Sequence, residues 1–192
     1  MIIGVTGTLG AGKGTVVEYL VKVWGFTHFS ARDFCNEEIA RRGLVSNRDV
    51  MTQVANELRA QHGPDYFAKE SLRRAKEKGG DVVIESIRSI GEARHLKDNG
   101  ALLWAVDADR KLRYERVVLR ATAFDKISFE KFIADEEREF ANTDPTMQNI
   151  SGVMTMADKV FQNNGTKEEL FAQVEGALQL RLRETRTGQK FI

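Results

Sequence analysis

Residues 7 to 15 read Gly-Thr-Leu-Gly-Ala-Gly-Lys-Gly-Thr, with glycine at 7, 10, 12 and 14 around one lysine, Lys13. Glycines this close together let successive backbone N–H groups converge on one anion, because side chains there would block its approach or forbid the backbone angles. Lys13 adds a mobile positive charge, the chemistry needed where negative charge shifts between phosphate oxygens. The run reads as a phosphate-binding loop whose candidate contacts are Gly7, Leu9, Gly10, Ala11, Gly12, Lys13, Gly14 and Thr15. One letter departs from the common form. A hydroxyl ordinarily follows the lysine to hold Mg²⁺, whereas here Gly14 follows and the hydroxyl arrives on Thr15.

Other stretches could act on a second anion. Phe29 to Phe34 (FSARDF) carries Ser30, Arg32 and Asp33, with Arg41 and Arg42 beyond it, and Glu85 to Ser89 (ESIRS) carries Arg88. Arginine presents a planar fork that grips phosphate with two hydrogen bonds at once. An acceptor that is a phosphate monoester already carries charge and needs such arginines to hold it in line, while a hydroxyl acceptor needs a carboxylate base. Arg113, Arg116 and Arg120 share one helical face, where like charges repel unless an anion lies between them. A triphosphate is one such anion, and the acidic run Asp135, Glu136, Glu137 and Glu139 is another.

Positioning these groups requires strands that end at the loops and helices that begin there. Met1 to Thr6, Asp81 to Ser86 and Ala101 to Asp107 are continuous apolar runs suited to strands covered on both faces, with Thr27 to Ser30 and Lys159 to Gln162 as shorter candidates. Apolar spacing predicts helices from Thr15 to Trp24, Asp33 to Arg42, Arg48 to Gln61, Tyr66 to Lys78, Gly91 to Asn99, Asp109 to Arg120 and Phe129 to Phe140. A last helix starts near Thr166 and frays at its charged tail. Residues 141 to 157 are weakly patterned and read as a connector with a helical turn or two. Strands alternating with helices predict an α/β fold with a parallel sheet between helical layers.

Bulk properties narrow the function classes. A length of 192 residues at 42% apolar content fits one domain, and 29 basic against 28 acidic residues leave a net charge of +1, with no global field to draw nucleic acid or membrane. No apolar run approaches the ~20 residues of a membrane span. Cys35 is the only cysteine, which excludes a disulfide framework and a thiolate zinc site. His28, His62 and His95 lack metal-ligand spacing. A cytosolic monomer or homodimer without nucleic acid or membrane partners is expected.

The order G-x-x-G-x-G-K-G-T resembles the loop of adenylate kinase and other nucleoside monophosphate kinases. That resemblance implies a three-layer P-loop kinase fold with a five-stranded parallel sheet, a small acceptor-binding helical segment at about 30–80 and a short lid within about 116–130, its centre at Ala121 to Ser128. It implies ATP as donor and Mg²⁺ held mostly by ATP and water, with Thr15 against phosphate and Glu85 acting on the ion through water; aspartate is commoner at that place. "FSARDF" resembles the family's Ser-x-x-Asp through Ser30 and Asp33; Asn36 stands where an arginine is expected, leaving Arg32, Arg41 or Arg42 to act for it. "ESIRS" falls where adenylate kinases have Asp-Gly-Phe-Pro-Arg, which implies that Arg88 grips the acceptor phosphate. Arg116 and Arg120 match the spacing before the lid and would close on the transferring group.

The stretch "ADKVFQNNGTKEEL" resembles the last strand and loop of dephospho-coenzyme A kinases, implying that Asn163, Asn164 and Gly165 border adenine; the same residues also suit a turn with Thr166 capping the next helix. Those kinases carry Asp-x-Asp after the second strand where this chain has Ser30-Ala31-Arg32. The combined expectation is ATP-dependent transfer to a small-molecule nucleotide acceptor, a (deoxy)nucleoside monophosphate. The alternatives are dephospho-coenzyme A kinase, with Asp33 as base, and a non-catalytic ATP-binding sensor. A GTPase switch would need Asn-Lys-x-Asp, and Asn142 to Pro145 (NTDP) lacks the lysine.

Overall fold

The computed structural model describes residues 1–120 and 128–187. The lid stretch expected at 121–127 and the end of the tail lie outside the described residues.

Five short strands, β1 (Ile2–Gly7), β2 (Thr27–Ser30), β3 (Val82–Glu85), β4 (Leu102–Asp107) and β5 (Lys159–Gln162), form one parallel sheet in the order β2-β3-β1-β4-β5. In sequence they alternate with α1 (Lys13–Trp24), α2 (Ala31–Arg41), α3 (Arg48–His62), α4 (Tyr66–Lys78), α5 (Ile90–Asp98), α6 (Arg110–Leu119), α7 (Phe129–Phe140), α8 (Ile150–Thr155) and α9 (Lys167–Thr187). The expected three-layer arrangement is present, and the connector at 141–157 holds the single short helix α8.

The two-residue period of a strand sends alternate side chains to opposite faces. Ile3 and Val5 of β1, Val83 of β3 and Trp104 and Val106 of β4 pack with Val16, Val17 and Leu20 of α1 and Leu170, Val174 and Leu178 of α9. Val82 and Ile84, shifted by one, join Leu103 on the other face with Leu72 of α4, Leu96 of α5 and Val153 of α8. Burying each of these large side chains contributes about 1.5–3 kcal/mol, which is why the strands tolerate no charge between their ends. A separate apolar cluster of Phe34, Cys35, Ile39, Val54, Leu58 and Phe67 ties α2, α3 and α4 into a small lobe.

The carboxyl ends of the strands collect the chemically active residues. Gly7, Ser30, Glu85 and Asp107 are last residues of β1, β2, β3 and β4, with Val5 opposite Glu85 and Glu85 opposite Ser30 in the ladder. β1 lies at the centre: the connection that leaves it runs past β3 to β2 on one side, and the connection from β3 crosses to β4 on the other. Ligands of open parallel sheets bind outside the carboxyl ends at such a point.

Candidate active site

The loop after β1 is shaped by close approaches of the chain to itself. Gly10 and Gly12 have φ of 79° and 100°, and a Cβ on them would lie 2.4 Å from the Arg113 carbonyl oxygen and 2.3 Å from Asn163 Nδ2. Gly14 differs: helix α1 starts at Lys13, two residues sooner than apolar spacing alone indicates, and among the described residues a Cβ on Gly14 would meet nothing within 4 Å. It faces a cavity of about 1320 Å³ that spans the loop, α3, β3 and α6. Among the described residues no atom requires glycine at 14.

Lys13 folds back over the loop, and its Nζ donates to the carbonyls of Gly7 (2.9 Å) and Thr8 (2.8 Å). Two of the three ammonium hydrogens are thereby used. Burial, then the nearby Arg88 guanidinium, push its pKa down to about 7 despite the opposing pull of Glu85 and Glu139. Thr8 Oγ1 donates to Asp107 (2.6 Å), and Asn163 Nδ2 donates to the Ala11 carbonyl (2.7 Å), so both neighbours of the loop brace it. Arg116 Nη1 in turn donates to the Asn163 carbonyl (2.7 Å).

Residues 3–142 match a family model described as an AAA domain, AAA_18. A UPF0200 protein of Thermococcus gammatolerans is 31% identical over 195 residues, covering 98% of this chain and 99% of its own. The chain belongs to the UPF0200 family. UPF0200 protein TK1334 of Thermococcus kodakarensis is 33% identical over 182 residues, 91% of this chain and 95% of that one. The UPF0200 chain also has the fold of shikimate kinase from Bacteroides thetaiotaomicron (12% identity, TM-score 0.54, 94% of this chain and 97% of that one). A similar likeness joins it to TT1252 from Thermus thermophilus (23% identity, TM-score 0.54, 93% and 96% covered). It is a P-loop nucleotide-binding domain with a kinase fold.

The far end of the cavity in this UPF0200 chain is walled by guanidinium groups. Arg88 Nη1 donates to Glu139 Oε2 (2.7 Å) and to Gln148 Oε1 (3.0 Å). Arg48 Nη2 donates to the other oxygen of the same carboxylate (2.8 Å), and its Nε lies 3.2 Å from Asp135. Burial works against the charge of Glu139, yet Arg88 and Arg48 outweigh it and hold the carboxyl below its ordinary range. Glu139 arrives on α7, which is anchored by Phe132, a fully buried ring 5.6 Å from that of Tyr114. Arg48 and Gln148 were not among the residues singled out from sequence, and Glu139, expected in an acidic run opposite the arginines of α6, is paired with Arg48 and Arg88 instead.

The remaining expected residues divide. Ser30, Arg32, Glu85, Arg116, Arg120 and Gly165 line the cavity with Leu9, Gly10, Gly12, Gly14 and Thr15. Ser30 also caps α2 by accepting from the Arg32 amide (3.2 Å). Asp33 and Arg41 are exposed and lie off the cavity wall; Arg41 is bound to Glu38 on its own helix (2.6 Å). Asn164 is likewise outside, its Oδ1 accepting from the Asp109 amide (2.8 Å). Arg113 does not share the cavity with Arg116 and Arg120, because it is buried against Glu136 and donates to the Ala108 carbonyl (2.8 Å).

Glu85 has a partner that sequence spacing did not suggest, His28 Nε2 at 3.3 Å on the adjacent strand. Burial would raise the Glu85 pKa, but His28, Lys13 and Arg32 together hold it below the ordinary carboxylate value. Cys35 is buried, and desolvation pushes its thiol up to about 11, which disfavours the reactive thiolate. Among the described residues no three His, Cys, Asp or Glu side chains form a metal cage. With Thr15 and the ionised Glu85 on the same wall, the donor set fits an Mg²⁺ ion carried in on phosphate oxygens with water between it and the protein.

Proposed function

We propose that this UPF0200 chain is a phosphotransferase that moves the γ-phosphoryl group of MgATP to a (deoxy)nucleoside monophosphate. The observation that carries the reading is the fork at Glu139: two arginines from different elements, Arg48 and Arg88, grip one carboxylate in the same cavity as the phosphate-binding loop. A carboxylate held bidentately marks a place where a phosphate monoester would be held. The cavity volume of about 1320 Å³ exceeds the roughly 300–1,000 Å³ of a pocket for one drug-sized ligand and leaves room for two nucleotides. Cys35, Met51, Ala55 and Phe67 give the acceptor end an apolar wall suited to a base.

The loop amides and the free hydrogen of Lys13 would stabilise charge on the transferring group, and Arg116 and Arg120 would close over it. Thr15 and Glu85 would hold Mg²⁺ through water, and the ion would supply charge neutralisation to the phosphates. Arg32, Arg48 and Arg88 would hold the acceptor oxygen in line. Such an acceptor is already ionised and needs no base, which accords with Asp33, the base required by a dephospho-coenzyme A kinase, standing off the cavity wall. The test is a panel of ribo- and deoxynucleoside monophosphates and dephospho-coenzyme A with MgATP, monitored for ADP and the phosphorylated product. Transfer to a nucleoside monophosphate is expected. Transfer to dephospho-coenzyme A alone would favour the hydroxyl-acceptor alternative, and nucleotide binding without any transfer would leave a sensor.

A further inference from the structure

Among the described residues Ser86 is the only non-glycine with a positive φ, 70°. An L side chain in that region crowds the following carbonyl, and glycine occupies it without that cost. The conformation is imposed from both sides. Glu85 is fixed in the sheet opposite Val5 and Ser30; Thr6 Oγ1 donates to the Ile87 carbonyl (2.8 Å), and the Arg88 amide donates to Glu92 Oε2 (2.8 Å). The chain therefore has one residue in which to turn off the end of β3. Strain of this kind persists where the surroundings over-determine the backbone, and it gathers at ligand-holding positions.

The serine makes no local use of its hydroxyl, for among the described residues no side-chain hydrogen bond joins it to the protein. Ser86 nevertheless lines the cavity, between Glu85 and Arg88 and on the same wall system as Lys13. A residue that strains the backbone and bonds nothing in the protein is accounted for if its hydroxyl bonds a ligand. We propose that Ser86 is an acceptor-binding residue whose hydroxyl donates a hydrogen bond to the acceptor phosphate beside Arg88; this rests on the acceptor reading given above. It adds a neutral donor where guanidinium groups supply the charge, fixing which phosphate oxygen faces the loop.

The test compares wild type with Ser86→Gly and Ser86→Ala in steady-state transfer, in ATP binding by calorimetry and in thermal unfolding. Ser86→Gly removes both strain and hydroxyl, so Tm rises by about 2–4 °C while the acceptor KM rises by about tenfold or more. Ser86→Ala keeps the strain and loses only the hydroxyl, so Tm is unchanged and the acceptor KM rises equally. ATP affinity is unchanged in both. A Ser86→Gly or Ser86→Ala protein with wild-type acceptor KM overturns this proposal alone. Wild type that neither binds nor phosphorylates any nucleoside monophosphate overturns the acceptor reading, and this inference falls with it.

Discussion

Lys13 carries the steepest expectations at the residue scale. Its assigned role in stabilising transferring charge predicts that Lys13→Ala lowers kcat by roughly 10³ with little change in Tm, measured by coupled assay and calorimetry. Its pKa, pushed down to about 7, gives a second handle. A bound phosphate favours the charged ammonium and raises that pKa, so nucleotide binding takes up a proton above pH 7 and weakens as pH rises, by up to tenfold per unit. Calorimetry at pH 8 in buffers of different ionisation enthalpy reads this uptake directly; none would show Lys13 remote from the phosphates. Folding has the opposite sign: the unfolded lysine, at 10.5, holds its proton longer than the folded one, so its contribution to the stability of the free protein grows as pH climbs from 7 towards 10.5. The loop was legible because its chemistry is local, all nine letters lying within one strand-to-helix turn. Which loop glycines fit the protein and which fit the ligand was not legible, since the crowding at Gly10 and Gly12 comes from Arg113 and Asn163, some hundred residues and more away.

Helix α7 and the start of α1 are the elements that decide how the site accepts its ligands. Glu139, carried by α7, competes for the guanidinium groups that an acceptor phosphate needs. Glu139→Gln removes that charge with little change of shape, and we expect inorganic phosphate and acceptor to bind several-fold more tightly, read by calorimetry; weaker binding would mean that Glu139 only positions the arginines. Gly14→Ser restores the common hydroxyl after the lysine, and because a Cβ there meets none of the described residues, Tm is expected to stay the same while ATP affinity or metal preference changes. A large fall in Tm would show that glycine 14 serves the fold. Most elements were readable from apolar period, including the strand ends at Ser30 and Asp107, while β3 ends at Glu85, one residue before the expected Ser86. The arginines that wall the far end of the cavity were not all readable. Arg41 and Arg48 are similar letters near one helix-rich stretch, and only the packing of α7 against the lobe turns Arg48 inward while Arg41 stays with Glu38. The three arginines of α6 divide between the two anions expected for them: Arg113 pairs with Glu136 of the acidic run, while Arg116 and Arg120 line the cavity.

For the whole molecule, the account requires that the acceptor lobe and the sheet keep a fixed relation. One buried ion pair, Arg59 of α3 to Glu92 of α5 at 2.6 Å, both at 1% exposure or less, joins them. Glu92 also accepts the amides of Arg88 (2.8 Å) and Ser89 (3.1 Å), so the pair supports the turn that carries Arg88. Removing one partner leaves an uncompensated buried charge, and Arg59→Ala is expected to cost about 3–5 kcal/mol in urea unfolding. A loss below about 1 kcal/mol would mean that water reaches Glu92 or that the lobe shifts to meet it. The central claim is that one cavity joins an amide cradle to a guanidinium cradle across which a phosphoryl group passes. A crystal structure with a dinucleoside polyphosphate tests it most directly. The account predicts phosphates at one end on the amides of residues 10–15 and Lys13, and at the other on Arg48 and Arg88 with Glu139 displaced; a ligand held at the loop alone, with Glu139 still between the two arginines, would contradict it.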